Sequence, residues 1–203
     1  METRSWATDR PVTSPFAQPR GWAGRLAGRF MLLTNKQDDI VQGLDIRTGD
    51  RVLEVGYGPG GLIRLLAART PAAQIIGIDP SPEMRDLATR TNRAAVRAGR
   101  VELRLGTADA TGLAGESVDK VVAVNNVAIW PDLDAGLEEL HRILRPGGTV
   151  TLGWHGGTAP SRIARSLRLT DDKLDRIEQC LGRHFQQSYR RQLSNLDVFS
   201  ATR

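Results

Sequence analysis

Val52-Leu53-Glu54-Val55-Gly56-Tyr57-Gly58-Pro59-Gly60-Gly61 decides how the rest of this chain is read. Its first four residues suit a buried strand. Its glycines suit a turn, because each tolerates a positive φ and lets a ligand approach the backbone closely. The residues after Gly61 can open a helix, whose first N–H groups find no partner inside the helix. Gly56, Gly58 and Gly61 fit the spacing G-x-G-x-x-G, and Asp79 lies 18 residues beyond Gly61, where an acid can meet a ribose. The turn alone is compatible with more than one nucleoside-containing ligand.

Outward from the turn, short β-branched runs at 51–55, 74–78, 101–105, 118–124 and 149–154 alternate with helical patterns at 62–69, 82–98 and 133–144. Such alternation predicts βαβ units, and therefore a parallel sheet covered on both faces. Ser81 before Pro82 is a cap and first-turn pair, and Gly99 stands where a helix should stop. Pro146-Gly147-Gly148 ends the third helix and turns into a strand. Further on, Thr170, Asp171 and Asp172 open a helix with Leu174, Ile177 and Leu181 on one face, and extended segments follow at 185–193 and 196–202. Residues 1–20, with Pro11, Pro15 and Pro19, read as a flexible arm. Residues 21–203 read as one domain, with N-terminal helices over 21–46 and an α/β core over 51–203. Trp22, Leu26 and Phe30 form one stripe of the first of those helices, and Thr34 is a candidate cap for the second, over 35–44.

Glu54 narrows the choice of ligand. It ends the first strand two residues before Gly56. A pyrophosphate at the turn would be repelled by this carboxylate, which counts against an NAD-dependent oxidoreductase. S-adenosylmethionine carries an ammonium and a sulfonium instead, and would be attracted. The same carboxylate can also hold the loop by accepting backbone N–H bonds.

With these residues in view, the chain resembles the class I S-adenosylmethionine-dependent methyltransferases. Glu54 to Gly60 resembles their first motif, and Ile76-Gly77-Ile78-Asp79 resembles their second strand and its terminal acid. Gly106-Thr107-Ala108-Asp109-Ala110 resembles the loop after the third strand. Ser117-Val118-Asp119 with the valine run behind it, and Leu140 to Gly148, resemble the fourth strand and the approach to the fifth. The resemblance covers about 51–154 in order. It implies a Rossmann-like, doubly wound, mostly parallel seven-stranded sheet, with the N-terminal helices as a candidate lid. It also implies that S-adenosylmethionine is held by Glu54, Gly56, Tyr57, Gly58, Gly60, Asp79, Pro80, Ala108, Asp109 and Asn125. Asp79 would accept from both ribose hydroxyls, which a carboxylate can do in bidentate fashion. Asp109 would meet the adenine amino group, and Asp119 reads as structural.

Methyl transfer from a sulfonium needs mainly alignment and exclusion of water, since the leaving group is already good. A base is required only if the acceptor must lose a proton. His155, after the fifth strand, is the candidate base, and Asn126 and Trp130 are candidate acceptor contacts. Asn125-Asn126 lacks the Pro-Pro-aromatic continuation of enzymes that methylate nucleic-acid amino groups. His141 reads as structural, and His184 has no partner visible in sequence. The resemblance is closest to the group that includes quinone-biosynthesis and natural-product methyltransferases, so a small-molecule acceptor is expected.

Composition bounds the alternatives. The 203 residues are 40% hydrophobic and contain one cysteine, Cys180, so no internal disulfide and no metal site are expected. No apolar run is long enough to span a membrane and no secretory h-region is visible, so a cytoplasmic protein is expected. The net charge of +5 is concentrated in the arginines of residues 1–30 and 183–203. Without interleaved aromatics this reads as a solvated surface, so nucleic acid is not an expected partner. A nucleic-acid methyltransferase and a non-catalytic module of the same fold are the remaining alternatives. Oligomeric state has no sequence signal.

Overall fold

The computed structural model describes residues 3–11 and 37–203. After α1 (Asp38–Gln42) the chain alternates β1 (Arg51–Val55), α2 (Gly61–Arg69) and β2 (Gln74–Asp79), then α3 (Pro82–Thr91), α4 (Arg93–Arg97) and β3 (Val101–Leu105). It continues through β4 (Val118–Val124), a 3-10 turn (Val127–Ile129), α5 (Leu133–Ile143) and β5 (Leu144–His155). It ends with α6 (Arg162–Leu167), α7 (Asp171–His184), β6 (Gln186–Gln192) and β7 (Leu196–Thr202). The strands form one seven-stranded sheet in the order β3-β2-β1-β4-β5-β7-β6. β1 to β5 are parallel, while β7 runs antiparallel to both β5 and β6. This is the doubly wound fold that the motifs imply. The strand order reverses between β1 and β4, and such sheets bind ligands beyond the carboxyl ends of the strands at that point.

Period-two alternation sorts the strands between two cores. Leu53, Val55, Ile76, Ile78, Val121 and Ala123 pack with α5, α7 and the 3-10 turn. Val52, Ile75, Val122 and Val124 pack with α1, α2 and α3. By the same parity Glu54, Asp79 and His155 face the second core, and Gly77 stands beside Glu54 in the register. Among the described residues, no helix is long and apolar enough to cross a membrane.

Two expectations are corrected. The pattern over 82–98 is not one helix: it breaks at Asn92, whose φ is −113°. Its side-chain Nδ2 donates to the carbonyls of Gly60, at 3.0 Å, and Ala88, at 2.9 Å. Residues 3–11 do not behave as an arm. Trp6 donates through its backbone N–H to the Trp130 carbonyl at 3.1 Å and through Nε1 to the Val127 carbonyl at 2.7 Å. Its ring lies under the Arg176 guanidinium, and Ala7 beside it joins the first core. A large aromatic face with a donor at its tip outweighs the freedom of the surrounding polar residues. The stripe Trp22-Leu26-Phe30 and the cap Thr34 lie outside the described residues.

Candidate active site

The glycine turn folds as its composition requires. Gly56 and Gly60 have φ of +69° and +81°, values that side chains rarely adopt. A Cβ on Gly56 would stand 2.6 Å from Asn126 Nδ2, and one on Gly60 would stand 2.5 Å from Asn92 Nδ2. Asn126 comes from the end of β4 and Asn92 from the end of α3, so the turn is clamped between them. The N–H of Gly56 donates to the Ile78 carbonyl at 2.7 Å, which ties the turn to β2.

Two carboxylates converge beneath the turn. Asp79 Oδ2 accepts from the Gly58 N–H and Oδ1 from the Ser81 N–H, both at 2.9 Å. Glu54 is 3% exposed, accepts from the Ile63 N–H, and leaves Oε2 without a partner. Burial, and then the nearby Asp79 charge, push the Glu54 carboxyl well above the usual range. Burial also raises Asp79, opposed by its two backbone N–H bonds. Among the described residues neither acid has an ion-pair partner. Asn125, at the carboxyl end of β4, has a φ of +58° and its Oδ1 is buried without a partner. Two orphaned buried oxygens and two uncompensated acids fit a ligand that brings its own positive charge and donors, as S-adenosylmethionine does.

The remaining residues singled out in the sequence divide. Ala108 is buried, while Asp109 is exposed in a turn closed by a Thr107–Ala110 bridge, and Pro80 is exposed beside Asp79. Tyr57 presents no side chain to a ligand: its ring fills the space over Gly77, its hydroxyl donates to the Arg104 carbonyl at 3.2 Å, and it is 3% exposed. Asn126 and Trp130 are likewise taken up by the fold. Asn126 Nδ2 donates to the Val55 carbonyl at 2.6 Å, and its Oδ1 accepts from Trp130 Nε1 at 2.9 Å. Both side chains are buried and link β1, β4 and α5, with the Trp130 ring seated over Gly136. His155 ends β5 edge-on to Trp154, and burial lowers its pKa to about 4. Asp119 is structural as expected, accepting from the Arg51 N–H and the Arg145 guanidinium. An open depression of about 550 Å³ lined by Glu116, His141, Arg142 and Arg203 lies near the start of β4, away from this site.

Sequence reading missed Asn92 and Trp6. Asn92 follows a helical pattern and its role depends on Gly60, 32 residues away. Trp6 meets Val127 across 121 residues.

Similarity to known proteins agrees with this geometry. A family model described as a methyltransferase domain matches residues 52–148. An uncharacterized methyltransferase of Bacillus subtilis, YdaC, is 34% identical over 129 residues, covering 63% of this chain and 69% of the relative. The chain belongs to the class I S-adenosylmethionine-dependent methyltransferases. As a member it is an enzyme whose methyl donor is S-adenosylmethionine. The ubiquinone/menaquinone biosynthesis C-methyltransferase UbiE of Geotalea daltonii is 34% identical over 103 residues, and there the alignment spans 50% of this chain but only 44% of the relative. In three dimensions, a SAM-dependent methyltransferase of Aquifex aeolicus superposes with a TM-score of 0.67 at 15% identity, over 90% of this chain and 99% of that one. Phosphoethanolamine N-methyltransferase 2 of Haemonchus contortus, solved with S-adenosyl-L-methionine, does so with 0.66 at 19% identity, over 95% and 55%. At such identities these two superpositions speak for the fold.

Proposed function

We propose that this methyltransferase acts on a small molecule, at an oxygen, nitrogen or carbon atom. The observation that carries the reading is the fate of the basic tail. Arg190 pairs with Asp197 at 3.5 Å and Arg203 with Glu116 at 3.0 Å. The Nε and Nη2 atoms of Arg191 are buried without a hydrogen-bond partner, away from solvent. Arginines paired or buried in this way do not offer the row of exposed cations that a phosphate backbone requires. The C-methyltransferase among the relatives keeps a carbon acceptor within this range.

S-adenosylmethionine bound under the glycine turn supplies a methyl group on a sulfonium, ready for in-line displacement. On this reading Asp79 accepts from the ribose hydroxyls with the lone pairs its backbone bonds leave free, and Asp109 accepts from the adenine amino group. Glu54 and Asn125 face the cationic methionine end. Gly56, Gly58, Gly60, Pro80 and Ala108 supply the wall. Residues 3–11 lie against the 3-10 turn after β4 and help close the acceptor side against water. His155 stays neutral there and orients the acceptor through a hydrogen bond.

The test offers the purified enzyme and methyl-labelled S-adenosylmethionine either a small-metabolite extract or total RNA and DNA. Label is expected in the small-molecule fraction. Label in nucleic acid, with binding that weakens steeply with salt, would overturn the reading.

A further inference from the structure

Away from the donor site, folding gathers three donor atoms of different kinds. Cys180 and His184 lie at i and i+4 on α7, so both project from one face of the helix. Asp134 reaches them from the first turn of α5. Cys180 Sγ is 3.1 Å from Asp134 Oδ1, and His184 Nε2 is 2.6 Å from the same oxygen. One donor atom from each residue lies within 4.8 Å of the other two. Nothing in the spacing of the sequence predicts this, because Asp134 and Cys180 are 46 residues apart.

We propose that Asp134, Cys180 and His184 form a binding site for a thiophilic divalent cation of the zinc type, which clips α5 to α7. Thiolate, imidazole and carboxylate are the ligands zinc prefers, and a helical i, i+4 pair with a third ligand from elsewhere is a familiar way to present them. A tetrahedral zinc needs ligand atoms about 3.3–3.6 Å apart. The two contacts to Asp134, at 3.1 and 2.6 Å, lie within about 1 Å of that spacing. Metal uptake replaces the protons now shared with Asp134: the Cys180 thiol releases its proton to solvent as the metal–sulfur bond forms, and the proton on His184 Nε2 leaves by solvent exchange, the neutral ring keeping one on Nδ1. Thiolate and carboxylate together neutralise the dication. Solvent completes the coordination, since Asp134 is half-exposed.

Arg183 is the competing cation. Its guanidinium lies 2.8 Å from Asp134 Oδ2 and 3.1 Å from Cys180 Sγ. It is 58% exposed on a long side chain, so it can leave for solvent when a metal arrives. Uptake displaces a thiol proton, so it is expected to strengthen with rising pH.

The test titrates Co2+ into the tag-free, chelator-treated full chain and follows its absorption. Expected are saturation at one ion per chain, visible bands of a four-coordinate ion, a near-ultraviolet thiolate charge-transfer band, and displacement by Zn2+. Cys180→Ser should lose the charge-transfer band. Asp134→Asn and His184→Ala should each weaken binding at least about tenfold, the scale seen when even supporting groups of metal sites are removed. Because Asp134 and His184 are not buried, these two variants carry the test if Cys180→Ser fails to fold, as judged by circular dichroism. Arg183→Ala should bind Co2+ more tightly. Absence of a saturable spectrum, a thiolate band that survives in Cys180→Ser, or weaker binding by Arg183→Ala would each overturn the proposal.

Discussion

Glu54 and Asp79, at the ends of β1 and β2, meet no arginine or lysine among the described residues, whereas several acids of the half built from β4 onward do. Asp119 takes Arg145 at 2.8 Å, Glu139 takes Arg142 at 2.6 Å, Asp134 takes Arg183 at 2.8 Å, and Asp197 takes Arg190 at 3.5 Å. The contrast runs against burial. Asp119 and Glu139 are more exposed than Glu54, and an exposed acid needs a partner least. Asp197 shows that this chain does supply cations to a fully buried acid where the acid serves the fold. Glu54 and Asp79 therefore have no cation of the chain's own beside them, as the proposed ligand site requires, whereas Asp119, Glu139, Asp134 and Asp197 are matched by arginines.

If that division is right, removing an acid from the donor half costs affinity. Asp79→Ala carries the largest expected effect. It removes the acceptor proposed for two ribose hydroxyls and strands the Gly58 and Ser81 N–H groups. Charge-assisted bonds of this kind contribute about 1.5–3 kcal/mol each, so S-adenosylmethionine should bind over a hundredfold more weakly by calorimetry. Glu54→Gln keeps the shape and removes the charge, and a loss of roughly 10–100-fold is expected. Glu54 also makes a proton prediction. Its raised pKa means that the ligand-free fold favours the protonated acid, and its stabilising share is fully present below the unfolded value of 4.5 and lost as pH rises through the folded value. An incoming ammonium lowers the pKa again, so binding should release protons, seen by calorimetry in buffers of different ionisation enthalpy. Glu54→Gln should abolish that release. Equal release by the variant would dissociate Glu54 from the ligand's charge.

The parallel strands and their order of motifs were legible because a two-sided sheet needs apolar runs, and β1, β2 and β4 supply them almost without interruption. Glu54 stood out for the same reason: a carboxylate inside Val52-Leu53-Glu54-Val55 breaks the run and demands an explanation. What sequence could not show was where side chains beside the glycine turn would point. Tyr57 reads as part of a ligand wall until Gly77, 20 residues later, opens a hole in the second core that its ring fills. Asn126 and Trp130 sit at i, i+4 where an acceptor would lie, and their polar atoms are used on each other and on Val55 instead. The position of His155 was legible; its ionisation depends on burial at the end of β5, which no local pattern encodes.

Arg145→Ala probes the other side of the comparison with a smaller effect. Arg145 holds both oxygens of Asp119, at 2.8 and 3.0 Å, while Asp119 also accepts from the Arg51 N–H that begins β1. The pair is partly exposed, so its loss should cost about 1 kcal/mol or less in denaturant unfolding. Affinity for S-adenosylmethionine should change less than about twofold, because Asp119 sits at the opposite end of β1 from the glycine turn. A large loss of affinity would mean that the two sets of acids are not independent.

The smallest effect is expected at His155, which belongs to neither class. Burial beside Trp154 disfavours its cation and brings the pKa down from 6.5 to about 4, so the imidazole is neutral throughout the range in which the enzyme would be assayed. A neutral imidazole is free to take a proton, but one this reluctant to hold it drives little proton transfer, and a sulfonium leaving group asks for little. Gln at this position can still make a hydrogen bond to the acceptor and cannot act as a base. His155→Gln should therefore keep kcat within about threefold, against the 10²–10⁴-fold that general-base catalysis contributes, with a flat pH–rate profile between about 5.5 and 8. A collapse of kcat in this variant, with S-adenosylmethionine affinity intact, would make His155 the base after all. It would also show that the acceptor arrives carrying a proton that must leave.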